Sequence, residues 1–176
     1  MKLNFIYILS FLSLFSCVEK EIKIIPVKNS LSENSKRGLF AISENVIWTS
    51  GTKGSVMLTV NKKDWNKFED TSWSNLDFRD IHAFNEKEAI VMSSGDGCEM
   101  YKTKDGGGSW KKVYENKTKG IFFDGMDFWD NKNGIAFSDP INNQLYIITT
   151  IDGGDSWQEL NSNSLPQTLK GGWFCC

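Results

Sequence analysis

The chain is poor in the residues that most often bind metals. Its 176 residues include 4 cysteines and 1 histidine, with no Cys-x-x-Cys pair and no Cys/His cluster. Structural zinc sites need four such ligands at close spacing, so the sequence argues against a zinc site. Cys98 stands alone. The adjacent Cys175 and Cys176 have a spacing that rarely gives an unstrained disulfide. We expect neither a metal nor a cofactor.

Basic charge is also scarce. The chain has 20 basic and 22 acidic residues, and its only arginines are Arg37 and Arg79. Removal of a leader that contains Lys2 would leave 19 basic residues against 22 acidic ones, a formal charge near −3. Proteins that bind nucleic acids usually carry a basic stripe. We therefore expect no nucleic-acid partner.

Helical and dinucleotide-binding patterns are absent as well. No long apolar stripe with a 3.6-residue period follows the first few residues, which argues against helices. No Gly-x-Gly-x-x-Gly lies between a strand and a helix. The segments GDG (95–97) and DGGG (105–108) are instead typical of hairpin turns.

The first sixteen residues have the pattern of an export signal. Lys2 precedes a mostly apolar run, 3–15, which is shorter than the roughly 20 residues that span a bilayer and is typical of a secretory h-region. The tetrapeptide Leu-Phe-Ser-Cys at 14–17 resembles the bacterial lipobox. We therefore predict a lipoprotein signal peptide over 1–16 and lipidation of Cys17. An ordinary signal peptide followed by an incidental cysteine is the alternative.

A lipidated Cys17 would hold the protein at a membrane surface, because each buried CH₂ of an acyl chain contributes about 0.8 kcal/mol. We expect an exported protein of the bacterial cell envelope, periplasmic or an outer-membrane lipoprotein, with the membrane surface as a partner. Residues 17–36 are polar and mixed in charge, which predicts a tether. Its apolar part, 22–27, could form a lone edge strand.

One eight-residue frame occurs twice. Residues 103–110 (TKDGGGSW) and 150–157 (TIDGGDSW) share Thr-x-Asp-Gly-Gly-x-Ser-Trp. Asp accepts hydrogen bonds from nearby backbone N–H groups, and Gly adopts the positive φ of tight hairpins. Trp opens the next strand with a large ring to bury. A calcium loop would need more oxygen ligands. The frame thus predicts two structural turns, formed by Thr103, Asp105, Gly107, Ser109, Trp110, Thr150, Asp152, Gly154, Ser156 and Trp157.

The frame belongs to a longer repeat. Trp65, Trp110 and Trp157 are 45 and 47 residues apart, and Ile47, Val91 and Ile135 are 44 residues apart. Four short apolar segments recur in each unit, although the first unit has lost the glycines of the turn. Four short antiparallel strands in about 45 residues match one blade of a β-propeller. The predicted strands are 38–43, 46–51, 55–60, 65–68, 78–84, 89–95, 99–104, 110–114, 123–129, 134–140, 144–150 and 157–160.

The predicted fold is therefore all-β: a partial, open β-propeller of about three four-stranded antiparallel blades, after an N-terminal signal segment. Blade 1 covers 37–70, blade 2 covers 77–116 and blade 3 covers 121–161. An immunoglobulin-like sandwich also has short strands but lacks a repeat of this length.

The turn frame resembles the Asp-box, or BNR, repeat of sialidase-like propellers. Several segments are closer still to bacterial propellers similar to the photosystem II stability/assembly factors: 77–84, 91–97, 101–110, 122–140 and 149–157. The resemblance covers roughly residues 37–170. It implies a lipoprotein or periplasmic protein without an established activity, often labelled oxidoreductase or glycosyl hydrolase. Members of this group usually have six or seven blades.

The end of the sequence departs from that family. After LPQTLKG (165–171) the family pattern would continue with another blade, but the chain reads GWFCC. Three blades are fewer than the four to eight that close a ring. We expect 162–176 to be an aberrant tail that results from truncation or a frameshift near Gly171.

The first strand of each propeller blade lines the central channel, where ligands usually bind at the mouth. Polar residues on these strands are therefore the candidate binding residues: Arg37, Arg79, Asp80, His82, Asp124 and Asp127. Arg beside Asp is also an ordinary structural ion pair, which we favour. His82 has no nucleophile motif nearby, so we assign no catalytic residue. Trp73, in a polar loop, is a candidate for a surface contact.

The repeat and the export signal together suggest two functions. The favoured one is a lipid-anchored, extracytoplasmic scaffold that binds a protein or a glycan. The alternative is a sialidase-like glycoside hydrolase, or the oxidoreductase of the family label, inactive as truncated. Two arginines are too few for the arginine cluster of a sialidase. A pair of carboxylates about 5–9 Å apart in an open groove would favour a hydrolase.

Overall fold

Three four-stranded antiparallel sheets form the described part of the chain. The computed structural model describes residues 34–95, 97–161 and 165. Each sheet is a meander, in which neighbours in sequence are neighbours in space. The strands of the three sheets are β1 (Lys36–Ala41), β2 (Ile47–Gly51), β3 (Val56–Thr59), β4 (Asn66–Phe68), β5 (Asp77–Ala83), β6 (Ala89–Ser94), β7 (Cys98–Thr103), β8 (Lys111–Asn116), β9 (Phe123–Phe128), β10 (Gly134–Ile141), β11 (Gln144–Thr150) and β12 (Gln158–Glu159).

The prediction of an all-β fold with three antiparallel blades is confirmed, and each of the twelve predicted segments overlaps an observed strand. The one helical element among the described residues is a turn of 3₁₀ helix, Thr71–Trp73. Over the same residues, no helix has the length and apolarity needed to cross a bilayer. The signal peptide 1–16, Cys17, most of the tether 17–36 and nearly all of the tail 162–176 lie outside the described residues.

Strand β1 begins at Lys36, inside the segment assigned to the tether. Lys36 pairs with Gly51 of β2, and the N–H of Thr52 donates to the carbonyl of Ser35 at 3.0 Å. These bonds extend the first sheet by a short stretch of polar sequence, because strand pairing needs backbone groups and not apolar side chains.

The sheets are arranged around their first strands. Strand β5 contacts both β1 and β9, so the inner strands of the three blades lie side by side. One hydrophobic core lies between blades 1 and 2, and a second lies between blades 2 and 3. Strand β6 contributes to both cores: Ala89 and Val91 face the first core, while Ile90 and Met92 face the second. All four side chains are fully buried.

The repeat register differs from the one that the sequence predicted. Ile47, Val91 and Ile135 are equally spaced in sequence but are not equivalent in the sheets. Ile47 pairs with Thr59, the last residue of β3, and the residues paired with the corresponding Thr103 and Thr150 are Ala89 and Gly134. The hairpins between β2 and β3, β6 and β7, and β10 and β11 differ in length, so a constant sequence spacing does not follow the pairing.

Both Asp turns, 103–110 and 150–157, have the same hydrogen-bonded geometry. The carboxylate of Asp105 accepts from the Ser109 N–H at 2.8 Å and from the Ser109 hydroxyl at 2.7 Å. The Thr103 hydroxyl donates to Asp105 at 2.9 Å and accepts from the Gly107 N–H at 2.9 Å. In the other turn, Thr150, Asp152, Gly154 and Ser156 make the same four bonds.

Blade 1 has a related but tighter turn, in which the acceptor bonds N–H groups two and three residues on instead of four. The side-chain oxygen of Asn61 accepts from the N–H groups of Lys63 and Asp64 at 2.9 and 2.8 Å. Lys62 takes the positive φ that glycine supplies elsewhere. An amide oxygen can replace a carboxylate here because the turn needs only an acceptor.

Each Asp turn also packs against the blade before it. A Cβ on Gly107 would lie 2.4 Å from the ring of Phe68 in blade 1. In blade 3, the carbonyl of Gly153 accepts from the Lys102 ammonium of blade 2 at 2.8 Å, and Lys102 also pairs with Asp155 at 3.3 Å. Trp110 and Trp157 are half-buried at the edges of the two cores rather than fully buried.

Trp73 is a core residue, and its prediction as a surface contact was wrong. Asp70 caps the 3₁₀ turn by accepting from the Ser72 N–H at 2.8 Å. This turn directs Trp73 into the first core, where its ring contacts Phe78 and Tyr101 with centroids 5.1 Å away. The polar neighbours of Trp73 in sequence form the cap and the solvent side of the turn.

Replacement of Gly107 by Ala should destabilise the protein more than the same change at Gly120. Both glycines have positive φ, at 90° and 84°, but a Cβ at Gly120 has no heavy atom within 4 Å. The two variants therefore share the backbone strain, and only Gly107→Ala forces the Phe68 ring to move. We expect an additional loss of about 1–3 kcal/mol for Gly107→Ala, measured by urea unfolding. Equal losses in both variants would contradict packing between blades at this turn.

Candidate functional site

A β-bulge lies on the inner strand of every blade. The register shifts between Lys36 and Gly38 in β1, between Phe78 and Asp80 in β5, and between the partners of Phe137 and Ser138 in β9. Bulges leave one residue outside the ladder and re-aim its side chain. The three bulged residues are Arg37, Arg79 and Asp124.

These bulged residues lie together in one open groove of about 440 Å³. The groove therefore brings together four of the six residues that the sequence predicted for a channel mouth. Two residues that were not predicted also contribute: Lys36 lines the groove, and Asp77 pairs with Arg37. The residues that line the groove are Lys36, Arg37, Arg79, Asp80 and Asp124.

Arginine–aspartate pairs connect neighbouring inner strands. Arg37 of blade 1 pairs with Asp77 of blade 2 at 3.0 Å, and Arg79 of blade 2 pairs with Asp124 of blade 3 at 3.3 Å. The second pair is the more buried, since 4% of the Asp124 side chain is exposed, against 35% for Asp77. Arg79 also donates through Nε to the Asp124 carbonyl at 3.4 Å.

Asp80 joins blade 2 to blade 3 through the backbone. One carboxylate oxygen accepts from the N–H of Met126 in β9 at 2.8 Å, and the other accepts from its neighbour Ile81 at 2.8 Å. Burial raises the pKa of Asp80 above its ordinary value, and these two hydrogen bonds oppose that rise. Asp80 thus accepts a hydrogen bond from the backbone of β9 that a neighbouring strand would otherwise accept.

His82 and Asp127 lie further along the same strands and do not line the groove. The His82 ring lies among Phe40, Phe84 and Phe128, with ring centroids 4.5 to 4.9 Å away. Its Nδ1 atom lies 3.8 Å from the Asp127 carboxylate. Burial lowers the pKa of His82, with Asp127 acting in the opposite direction, so the imidazole is neutral at pH 7 and packs as an aromatic ring.

The groove can present fixed charges of both signs to a ligand. Arg37 and Lys36 are its accessible cations, while Arg79, Asp80 and Asp124 are largely engaged between the blades. In the ranges 34–95 and 97–161, no three His, Cys, Asp or Glu side chains are grouped so that they could hold a metal ion. The arrangement suits recognition by ion pairing and hydrogen bonding.

No protein-family model matches the chain, and no curated protein matches it significantly. Among solved structures, it is similar to YCF48 bound to a D1 peptide, with 20% identity and a TM-score of 0.56 over 72% of this chain and 40% of that one. YCF48 from Cyanidioschyzon merolae gives 22% identity and a TM-score of 0.52, over 78% and 42%. The fold is that of a β-propeller. The matched region spans about two fifths of those structures.

Removal of the Arg79 guanidinium should cost more stability than removal of Arg37. Arg79→Gln leaves the buried Asp124 carboxylate without its cation, for an expected loss of roughly 1–3 kcal/mol in the free energy of unfolding. Arg37→Gln breaks a pair that is more than a third exposed, so we expect less than about 1 kcal/mol. Chemical denaturation at pH 7 measures both. A larger loss of stability for Arg37→Gln would contradict the assignment of Arg79–Asp124 as the stronger ion pair between blades.

Proposed function

We propose that the protein is a lipid-anchored scaffold of the bacterial cell envelope that binds a segment of a partner protein in the groove of the inner strands. The observation that carries this proposal is the set of bulged residues, which aims charges of both signs from three blades into one open groove. An extended peptide offers carboxylates, amides and cations along its length, and such a groove can pair with several of them.

A structural neighbour adds support, because one of the similar structures is YCF48 bound to a D1 peptide. That neighbour shows that a propeller of this general shape accommodates a peptide. A glycan ligand has less support. Sugar rings often stack on aromatic side chains, and all five residues that line the groove are charged.

The observed contacts do not favour the glycoside hydrolase alternative. Asp80 and Asp124 are the two carboxylates in the groove. Asp80 accepts two backbone N–H groups, and Asp124 pairs with Arg79. Both carboxylates hold blades together, whereas a general acid or nucleophile needs access to a glycosidic bond.

Selection of binders from a library of short random peptides tests the groove directly. We expect the selected peptides to bind the Lys36→Gln/Arg37→Gln variant at least about tenfold more weakly, a difference of about 1.4 kcal/mol, by fluorescence anisotropy. The Lys62→Gln/Lys63→Gln variant removes two charges from the turn after β3 and should bind like the wild type. Equal weakening in both variants, or a library that yields no binder, would count against the proposal.

Lipid anchoring has a separate test. Expressed with its leader in a bacterial host, the chain should fractionate with membranes and incorporate labelled fatty acid. Cys17→Ser should abolish both, because the thiol of Cys17 is the proposed acylation site. Cys98→Ser is the matched control, since that cysteine is buried in the second core. Incorporation that persists in Cys17→Ser would refute the lipobox interpretation.

A further inference from the structure

A second open pocket lies between blades 2 and 3, among the third and fourth strands rather than the first. This pocket, which we call the outer crevice, has a volume of about 370 Å³ and shares no lining residue with the groove of the inner strands. Strands β7 and β8 and both Asp turns contribute to its walls. Three lysines line it, together with Ser109, Trp110, Val113 and Asp155. The outer crevice is therefore a separate candidate site.

The three lysines of the outer crevice are particular to blade 2. Lys102 pairs directly with Lys111 across β7 and β8, and Lys104 follows Thr103, the last residue of β7. The corresponding residues of the other blades are uncharged: Leu58, Asn66 and Val60 in blade 1, and Thr149, Gln158 and Ile151 in blade 3. The architecture of a blade therefore requires a lysine at none of these positions, and like charges directly opposite each other are unfavourable in themselves.

Two of the three ammonium groups already have carboxylate partners. Lys102 is 3% exposed and contacts Glu88 at 2.9 Å and Asp155 at 3.3 Å, and Lys104 contacts Asp155 at 2.8 Å. Lys111 is exposed and belongs to no ion pair within the part of the chain that the structure describes. Three ammonium groups against the two carboxylates of Glu88 and Asp155 leave one positive charge in the outer crevice.

This remaining charge indicates which class of anion fits. A single ligand carboxylate would neutralise it, whereas a phosphate group carries roughly −1.5 to −2 at pH 7 and would leave an excess of negative charge. Asp105 and Asp152 do not line the outer crevice and accept hydrogen bonds within their own turns, but their charges also disfavour a more highly charged ligand. The electrostatics thus favour a carboxylate.

The outer crevice also has an apolar wall. Trp110 and Val113 are half-buried and line it. Trp110 packs against the first core and Val113 against the second, so both side chains are held in place. The apolar C–H groups of a sugar ring can pack on such a wall. A uronic acid, which is a sugar that carries a carboxylate, therefore matches both the wall and the unpaired ammonium group.

We propose that the outer crevice binds a uronic acid unit of an acidic polysaccharide, with the carboxylate paired with Lys111 and Lys104 and the ring against Trp110. Its volume lies near the lower end of the roughly 300–1,000 Å³ of small-molecule sites, which suits a small sugar. Lys102 is a positioning residue, because its ammonium group donates to the Gly153 carbonyl at 2.8 Å and joins the two walls. The site does not depend on the peptide groove.

Isothermal titration calorimetry of the full chain, at low ionic strength and in a non-ionic detergent without a sugar head group, tests the site. The probes are the trimers of galacturonic acid and of mannuronic acid, the neutral trimers of galactose and of mannose, and acetate. We expect an acidic trimer to bind, and the neutral trimers and acetate to bind at least about tenfold more weakly, because each offers only part of the recognition. Absence of binding by both acidic trimers, or equally tight binding of a neutral trimer or acetate, would overturn the proposal.

Substitutions locate the site. Lys104→Gln/Lys111→Gln should weaken binding of the acidic trimer at least about tenfold, because it removes both proposed partners of the carboxylate. Both lysines are exposed, so this variant should fold. Lys62→Gln/Lys63→Gln removes the same charge from the turn after β3 and should bind like the wild type. Equal weakening in both variants, or in neither, would show that the outer crevice is not the site.

Indole N–H resonances of the nitrogen-15-labelled protein identify the tryptophan that the sugar contacts. The acidic trimer should shift the resonance of Trp110 and leave that of Trp129 unchanged. Trp129 is 66% exposed in the turn after β9 and does not line the outer crevice, so it reports unspecific stacking. Trp110→Phe and Trp129→Phe assign the two resonances. A shift of Trp129 alone, or of neither resonance, would contradict the proposed position of the sugar ring.

Discussion

Burial of both faces of each four-stranded sheet is the constraint on which this molecule depends. A sheet whose side chains are apolar on both faces is stable only when something covers each of them. Blade 2 meets this condition within the described residues, since its second strand contributes Ala89 and Val91 to one core and Ile90 and Met92 to the other. The side-by-side order of β1, β5 and β9 follows, because blades stacked face to face converge along one edge. Repeat architectures distribute their stability over such neighbour interfaces.

The pairing register explains how blades of unequal length can all place the same side chains on the same face of the sheet. Pairing partners are 12 residues apart for Ile47 and Thr59, 14 apart for Ala89 and Thr103, and 16 apart for Gly134 and Thr150. Each step adds two residues. Ile47–Ser50 and Ala89–Met92 each make four pairs with the third strand. The two extra residues of blade 2 therefore lie in the hairpin connection and leave every paired side chain on its original face. The repeat thus tolerates longer hairpins but not a single insertion within the paired region.

The sequence predicted the strands well because each one is short, apolar and bounded by a turn whose residues have a local role. Asp105 and Asp152 accept hydrogen bonds within their own turns, so a few neighbouring residues are enough to predict their role. The bulges are different, since a shift between Phe78 and Asp80 depends on the partner strand and leaves no local pattern. Trp73 was misplaced for the same reason: its burial depends on Phe78 and Tyr101 in another part of the chain.

The inner-strand charges divide between holding the blades together and facing solvent. Arg79 holds blades 2 and 3 together, because it bonds to both the side chain and the backbone of Asp124. Within the described ranges, Arg37 makes one ion pair, the more exposed one with Asp77, and Lys36 donates to the Ser55 hydroxyl at 2.8 Å. Ion pairs that remain in water contribute little to stability, so the guanidinium of Arg37 can exchange Asp77 for a ligand carboxylate at small cost. The part of the groove formed by blade 1 is therefore where the charges are least needed by the fold and most available for recognition.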